Sequence, residues 1–218
     1  MIRKVTGLYY SPAGGAAAMT ERLVREIGAI LDACSPLDVI VEVHDMLKDT
    51  GESLGLDDET VAVIGMPVYV GKIPLPAARV LRSIEGSGAM TLTAVSYGGR
   101  SYGNALFELK RLAEECGFRP VGAGAFMVSY MATRGSSRMS APVLDVDAIT
   151  DFGKAASEKI KRLAGSEIEE LRIKPMPVEV NGRMPVHKIS RISPKAAAIA
   201  QGVFNKISVL RRRSEWFL

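Results

Sequence analysis

Short apolar runs alternate along this chain with longer stretches in which apolar residues recur every three or four positions. The run at 5–10 predicts a buried strand. Behind it Met19, Leu23, Ile27, Ile30 and Leu31 fall at helical spacing, with 11–15 as the turn between them. Residues 37–43 (LDVIVEV), 60–66 (TVAVIGM), 91–95 and 121–128 supply four more strands, the second and third of these five rich in β-branched side chains. Helical spacing at 75–84, 104–115 and 147–163 fills gaps between and after them. The last of these helices is entered through Asp145 and Asp147, whose carboxylates suit a helix N-terminus.

Strands this apolar, separated by helices, are expected to form a parallel sheet covered on both faces, and right-handed crossovers leave few ways to connect them. The expectation is a doubly wound α/β sandwich with five parallel strands in the order 2-1-3-4-5. Beyond Gly165 the texture changes. Pro175, Pro177, Pro185, Pro194 and Gly182 predict an irregular, hairpin-like arm over 173–195, and Ile199, Val203, Ile207 and Leu210 a final amphipathic helix. The expected division is a domain over 1–165 and a C-terminal arm and helix over 166–218, in keeping with the size of a single well-buried core.

Charge sharpens that division. The chain carries a net +4, yet residues 1–170 hold 18 Lys and Arg against 22 Asp and Glu, a net −4, whereas 171–218 hold 10 against 2, a net +8. A basic arm on an acidic domain points to something acidic as its counterpart. Arg211, Arg212 and Arg213 come with no stacking platform or nucleic-acid reading module, so nucleic acid is not the expected partner, and this end reads as a frayed charged terminus. No run reaches the roughly 20 apolar residues of a membrane span, and the opening apolar run falls short of the roughly 7–15 residues of a signal-peptide core. Cys34 and Cys116 are too few for a disulfide framework, a zinc ribbon or an iron–sulfur cluster, and His44 and His187 lie in dissimilar contexts. No metal site is expected, and a cytoplasmic location is. The serines at 136, 137 and 140 have no nucleophile elbow around them, and their loop is expected over the rim of the site.

Ligands of doubly wound sheets bind beyond the carboxyl ends of the strands, and three loops fall there. The first is Ser11-Pro12-Ala13-Gly14-Gly15-Ala16, a small-residue turn whose free amides and helix dipole suit a phosphate. It lacks the lysine of a nucleoside-triphosphate loop and the GxGxxG of a dinucleotide fold. The same small residues also serve a tight strand-to-helix turn with no ligand. The second loop holds Pro67, Val68, Tyr69, Val70 and Gly71, with Tyr69 mounted between a rigid proline and a permissive glycine. The third holds Tyr97, Gly98, Gly99, Arg100 and Tyr102. Together they describe a phosphate cradle beside two tyrosine-bearing walls, a shape that matches flavin mononucleotide, FMN.

Those segments carry a family resemblance. SPAGGA resembles the phosphate loop of flavodoxins. PVYVGKIP, YGGRSYGNAL and GFRPVGAGAF are similar to the flavodoxin half of ferredoxin–flavodoxin fusion flavoproteins of anaerobic bacteria and archaea, over about residues 3–165. The resemblance implies FMN as cofactor, its ring between the Tyr69 and Tyr102 regions, and one- or two-electron transfer as the chemistry. Arg100 has two readings of equal standing, a charge that stabilises a reduced, anionic flavin and a residue that faces solvent or pairs with a surface carboxylate. Ala13 and Ala16 stand where the family pattern has threonines, and each missing hydroxyl–phosphate bond is worth about 1.5–3 kcal/mol. The cysteine clusters of the fusion proteins are also missing beyond residue 165. The basic arm is therefore expected to meet an acidic ferredoxin, another redox protein or a second subunit in a homo-oligomer, the alternative being a solvated basic end whose helix packs on the domain. The competing expectation is a flavodoxin-like scaffold that binds no flavin and acts through assembly.

Overall fold

The structure, a computed structural model, describes residues 1–48, 54–99, 101–130, 141–166, 178–182 and 214–218. In chain order its elements are β1 (Lys4–Tyr9), α1 (Gly15–Asp32), β2 (Ile40–Asp45), β3 (Thr60–Pro67), α2 (Leu75–Arg82), β4 (Met90–Tyr97), α3 (Ala105–Glu115), β5 (Arg119–Tyr130), β6 (Pro142–Leu144), α4 (Val146–Ala164) and β7 (Glu215–Phe217). β1 to β5 are parallel in the order β2-β1-β3-β4-β5, the doubly wound arrangement that the alternating pattern predicts. The chain has the flavodoxin-like fold with additions at one edge.

Two apolar clusters sandwich the sheet. One takes Leu23 and Ile27 of α1 with Ile149, Phe152 and Ile160 of α4; the other takes Leu81 of α2 with Leu106, Leu109 and Leu112 of α3. Every residue of β4 is buried, and in β3 only Pro67 is not, which is why these strands read as unbroken apolar runs. β2 departs from the expectation of cover on both faces. It starts three residues later than the pattern placed it and forms the free edge of the sheet, so Ile40 is 61% and Val41 48% exposed despite their apolar character. A charge cluster helps hold that edge: Glu42 Oε1 accepts from Thr6 Oγ1 at 3.0 Å and lies 3.3 Å from Lys4 Nζ and 3.4 Å from His44 Nε2.

The opposite edge holds what the sequence pattern missed. β6 runs antiparallel to the last residues of β5, Val128 to Tyr130, and β7 antiparallel to Ala123–Ala125. The chain after Arg213 is therefore a strand and not a frayed end. Ser214 Oγ donates to Asp145 Oδ2 at 2.7 Å and accepts from the Met127 amide at 3.2 Å; Trp216 lies against Phe152 with ring centroids 6.0 Å apart; Phe217 packs on the other face. Val178 and Val180 are buried in the cluster under α3. These short strands escape a periodicity search because three residues are too few to show alternation. The expected helix over 199–210, the rim loop with Ser136, Ser137 and Ser140, the triplet Arg211–213 and Arg100 lie outside the described residues, as does most of the expected arm.

Candidate active site at the carboxyl edge

All six tyrosines of the chain stand at one edge of the sheet. Tyr9 ends β1 and Tyr10 follows it; Tyr97 ends β4; Tyr130 ends β5; Tyr69 and Tyr102 lie in the loops just beyond β3 and β4. An aromatic ring with a polar tip suits a rim where the apolar core meets solvent. Their gathering on the carboxyl side, where doubly wound sheets bind ligands, makes this edge the candidate site.

The first loop turns on Gly14, whose φ of 82° lies in the left-handed region that glycine adopts without strain, and a Cβ there would meet open space. The turn launches α1 with four amides that lack a partner within the helix. Two are met by the chain. The Gly14 amide donates to the Ser11 carbonyl at 3.3 Å and the Ala17 amide to Ser11 Oγ at 2.9 Å, while the Tyr130 hydroxyl lies against Gly15. Tyr130 and Val128 press so closely on Gly15 that a methyl group at that position would collide with the Tyr130 hydroxyl and approach Val128 to 3.1 Å. Ala13 and Ala16 contribute no hydroxyl, and no acidic residue occupies the first turn.

The second and third loops are one unit. Tyr69 and Lys72 exchange backbone hydrogen bonds of 2.8 and 3.2 Å across Val70 and Gly71, both at positive φ (54° and 74°), as a type I′ turn requires. Val70 is 89% exposed and β-branched, an unfavourable occupant of that region. The Gly71 carbonyl accepts from the Asn104 amide at 2.9 Å, and Gly103 lies so close that a Cβ on it would sit 2.7 Å from Gly71. From below, Glu108, only 3% exposed, accepts from the Ile73 amide at 3.0 Å and pins the end of the Tyr69 loop.

The expected ring-bearing residues sit differently from one another. Tyr97 is 4% exposed and meets Tyr102 edge-on at 5.6 Å. The Tyr102 hydroxyl donates to Glu215 Oε2 at 2.6 Å, so the C-terminal strand reaches the site wall; burial and then this carboxylate raise its pKa. Val68 is buried, its amide bonded to the Ser96 carbonyl at 2.9 Å. Gly98 is buried behind Tyr97.

Tyr69 is the least settled. Its hydroxyl oxygen is buried and has no hydrogen-bond partner among the described residues. Burial above all, and then the nearby Tyr10 and Tyr130 hydroxyls, push its pKa up to about 12, so it is a neutral donor at any ordinary pH. Tyr10, Tyr130 and Glu215 were not singled out from sequence, although the clustering of tyrosines at predicted strand ends was a readable signal for the first two. Among the described residues no group of three His, Cys, Asp or Glu could hold a metal ion, and no helix is long and apolar enough to cross a membrane.

No protein-family model matches the chain, and no curated protein matches it in sequence. Solved structures do match in fold. An oxidoreductase from Corynebacterium diphtheriae superposes with a TM-score of 0.54 over 76% of this chain and 99% of that one, at 11% identity. The metal-soaked flavodiiron core of a Synechocystis protein gives 0.50 over 75% of this chain at 16% identity, this chain spanning 36% of that one. A flavodoxin from the domain Archaea gives 0.47 over 72% of this chain and 99% of that one, at 19% identity. Likeness at such identities is one of fold.

Proposed function

We propose that this chain binds a flavin, FMN in the first instance, at the carboxyl edge of its sheet and serves in electron transfer or flavin-dependent reduction. The observation that carries the reading is the buried Tyr69 hydroxyl with no partner among the described residues. A buried donor left unpaired costs about 1–3 kcal/mol, and such a cost at a ligand-binding edge is recovered when a ligand supplies the acceptor. A flavin ring carries carbonyl and ring-nitrogen acceptors in its plane, so the donor fits the group.

When bound, FMN supplies one- or two-electron redox chemistry. The protein's residues hold and orient it. In this reading the turn 11–16 receives the phosphate end, while Tyr69 and the Tyr97–Tyr102 pair form the walls of the ring site. The fused loop pair at Gly71 and Asn104 keeps those walls at a fixed separation, and Arg100 is assigned the negative charge of the reduced ring. Residues 1–165 form the flavin domain; the basic segment beyond it docks an acidic ferredoxin, another redox protein or a second subunit, in the cytoplasm. Two of the four amides at the mouth of α1 are already met by the chain and the Tyr130 hydroxyl lies against a third residue, Gly15, which favours the rival reading of a scaffold without flavin. Titrating the protein into FMN separates the two: quenching of flavin fluorescence that Tyr69→Ala abolishes supports the flavin reading, and fluorescence unchanged by excess protein supports the scaffold.

A further inference from the structure

The two edges of the sheet are finished differently. At one, β6 and β7 are three residues each, the kind of short strand that blunts an edge against further pairing. At the other, β2 runs for six residues with no proline or lysine among them and pairs with β1 alone. Of the eleven large apolar side chains exposed among the described residues, five lie within 37–47: Leu37, Ile40, Val41, Val43 and Leu47. A single exposed apolar residue is ordinary, whereas this clustering along an open strand marks an interaction surface. Among the described residues no helix falls between β2 and β3, so the face of β2 that carries Ile40 also lacks helical cover.

The backbone decides what kind of strand pairs there. The Ile40 amide donates to the Arg3 carbonyl at 3.0 Å and the Met46 amide to the Tyr9 carbonyl at 2.8 Å, so the even-numbered residues of β2 turn their backbone polar groups to β1. Val41, Val43 and Asp45 turn theirs outward. These three positions are symmetric about Val43. A second β2 laid antiparallel across a two-fold axis at Val43 places Val43 against its own copy and Val41 against the copy's Asp45. Each Val43 amide then donates to the other Val43 carbonyl and each Asp45 amide to a Val41 carbonyl, while the Asp45 carbonyl already accepts from the Lys48 amide at 2.8 Å. The same register sets Glu42 directly opposite the copy's His44, at a position where side chains approach most closely. Among the described residues the contacts of Glu42 with Thr6, Lys4 and His44 all fall on Oε1, which leaves Oε2 to face across the edge. An axis at Glu42 or at His44 would instead set carboxylate against carboxylate or imidazole against imidazole.

We propose that β2 is the interface of a symmetric dimer, in which a second copy of this chain adds its own β2 antiparallel to this one and makes the sheet continuous across both. The dimer does not depend on the flavin reading. Sedimentation velocity of the full-length chain tests it, the wild type being expected at the mass of two chains in the micromolar range. Val43→Pro removes an outward amide and no bond to β1, a change that an edge strand tolerates, and should weaken the dimer at least about tenfold with the circular dichroism unchanged. Crosslinking reads the register and serves where the proline variant is poorly folded. With the exposed Cys34 replaced by serine, Val43→Cys should form a disulfide between two chains on mild oxidation, and His44→Cys, which faces Glu42 and not its own copy, should not. A mass of one chain throughout the micromolar range, a dimer as tight in well-folded Val43→Pro as in the wild type, or crosslinking of His44→Cys in preference to Val43→Cys overturns the proposal, whether the edge is then covered by a segment of the same chain or by another protein.

Discussion

The Asn104 amide donates to the Gly71 carbonyl at 2.9 Å, and through that bond the loop after β3 and the loop after β4 behave as one wall. The bond forms because two glycines, Gly71 and Gly103, let the backbones approach at van der Waals contact while each takes a positive φ, 74° and 57°. Any side chain at Gly103 would meet backbone, which cannot yield as a flexible side chain can.

Gly103→Ala is therefore expected to destabilise the fold by about 2–3 kcal/mol, from a left-handed residue and a backbone collision together. Gly71→Ala, whose added Cβ would find its nearest neighbour at 3.4 Å, should cost only the conformational term, about 1–2 kcal/mol. Denaturant unfolding of the two variants checks the order.

Val70 sits at the tip of that wall, exposed and at positive φ. Val70→Asn should raise stability by about 1 kcal/mol, since asparagine tolerates the left-handed region and no packing is lost. A lower melting temperature in this variant would show that the strain is not there.

Tyr69 predicts opposite signs for stability and binding. Removing its hydroxyl in Tyr69→Phe relieves an unpaired buried donor and should stabilise the protein by about 1 kcal/mol, while weakening flavin binding about five- to tenfold. The pH dependence comes from the raised pKa. Its phenol ionises near pH 10 when unfolded and near 12 when folded, so its contribution is fully present below pH 10 and is lost as the pH climbs from about 10 to about 12. Alkaline unfolding followed by phenolate absorbance should come later in Tyr69→Phe than in the wild type.

The Tyr102–Glu215 hydrogen bond ties the C-terminal strand to the site. It is exposed, so its expected worth is about 0.5–1 kcal/mol, measurable as the coupling in a double-mutant cycle of Tyr102→Phe and Glu215→Gln. Trp216, the single tryptophan, reports whether β7 stays docked against Phe152 in each variant.

Most of the fold was legible because its strands are buried on both faces, and burial writes itself as runs such as TVAVIGM. The edge strand β2 was legible in kind and not in surroundings: LDVIVEV looks like a core strand, and only its position in the sheet leaves Ile40 and Val41 in solvent. β6 and β7 were not legible, since their pairing with β5 is a long-range choice that leaves no local period. At the site, the turn at Gly14 and the turn at Gly71 could be read from glycine and proline placement. The contact of Tyr130 with Gly15 could not, because it joins residues more than a hundred positions apart whose chemistry is unremarkable until the sheet brings them together.

The most direct measurement is flavin fluorescence during titration with the full-length chain. A flavin site walled by Tyr69 predicts saturable quenching at one flavin per chain, lost in Tyr69→Ala while the circular dichroism of that variant stays native. Quenching that is absent, or that survives intact in Tyr69→Ala, contradicts it.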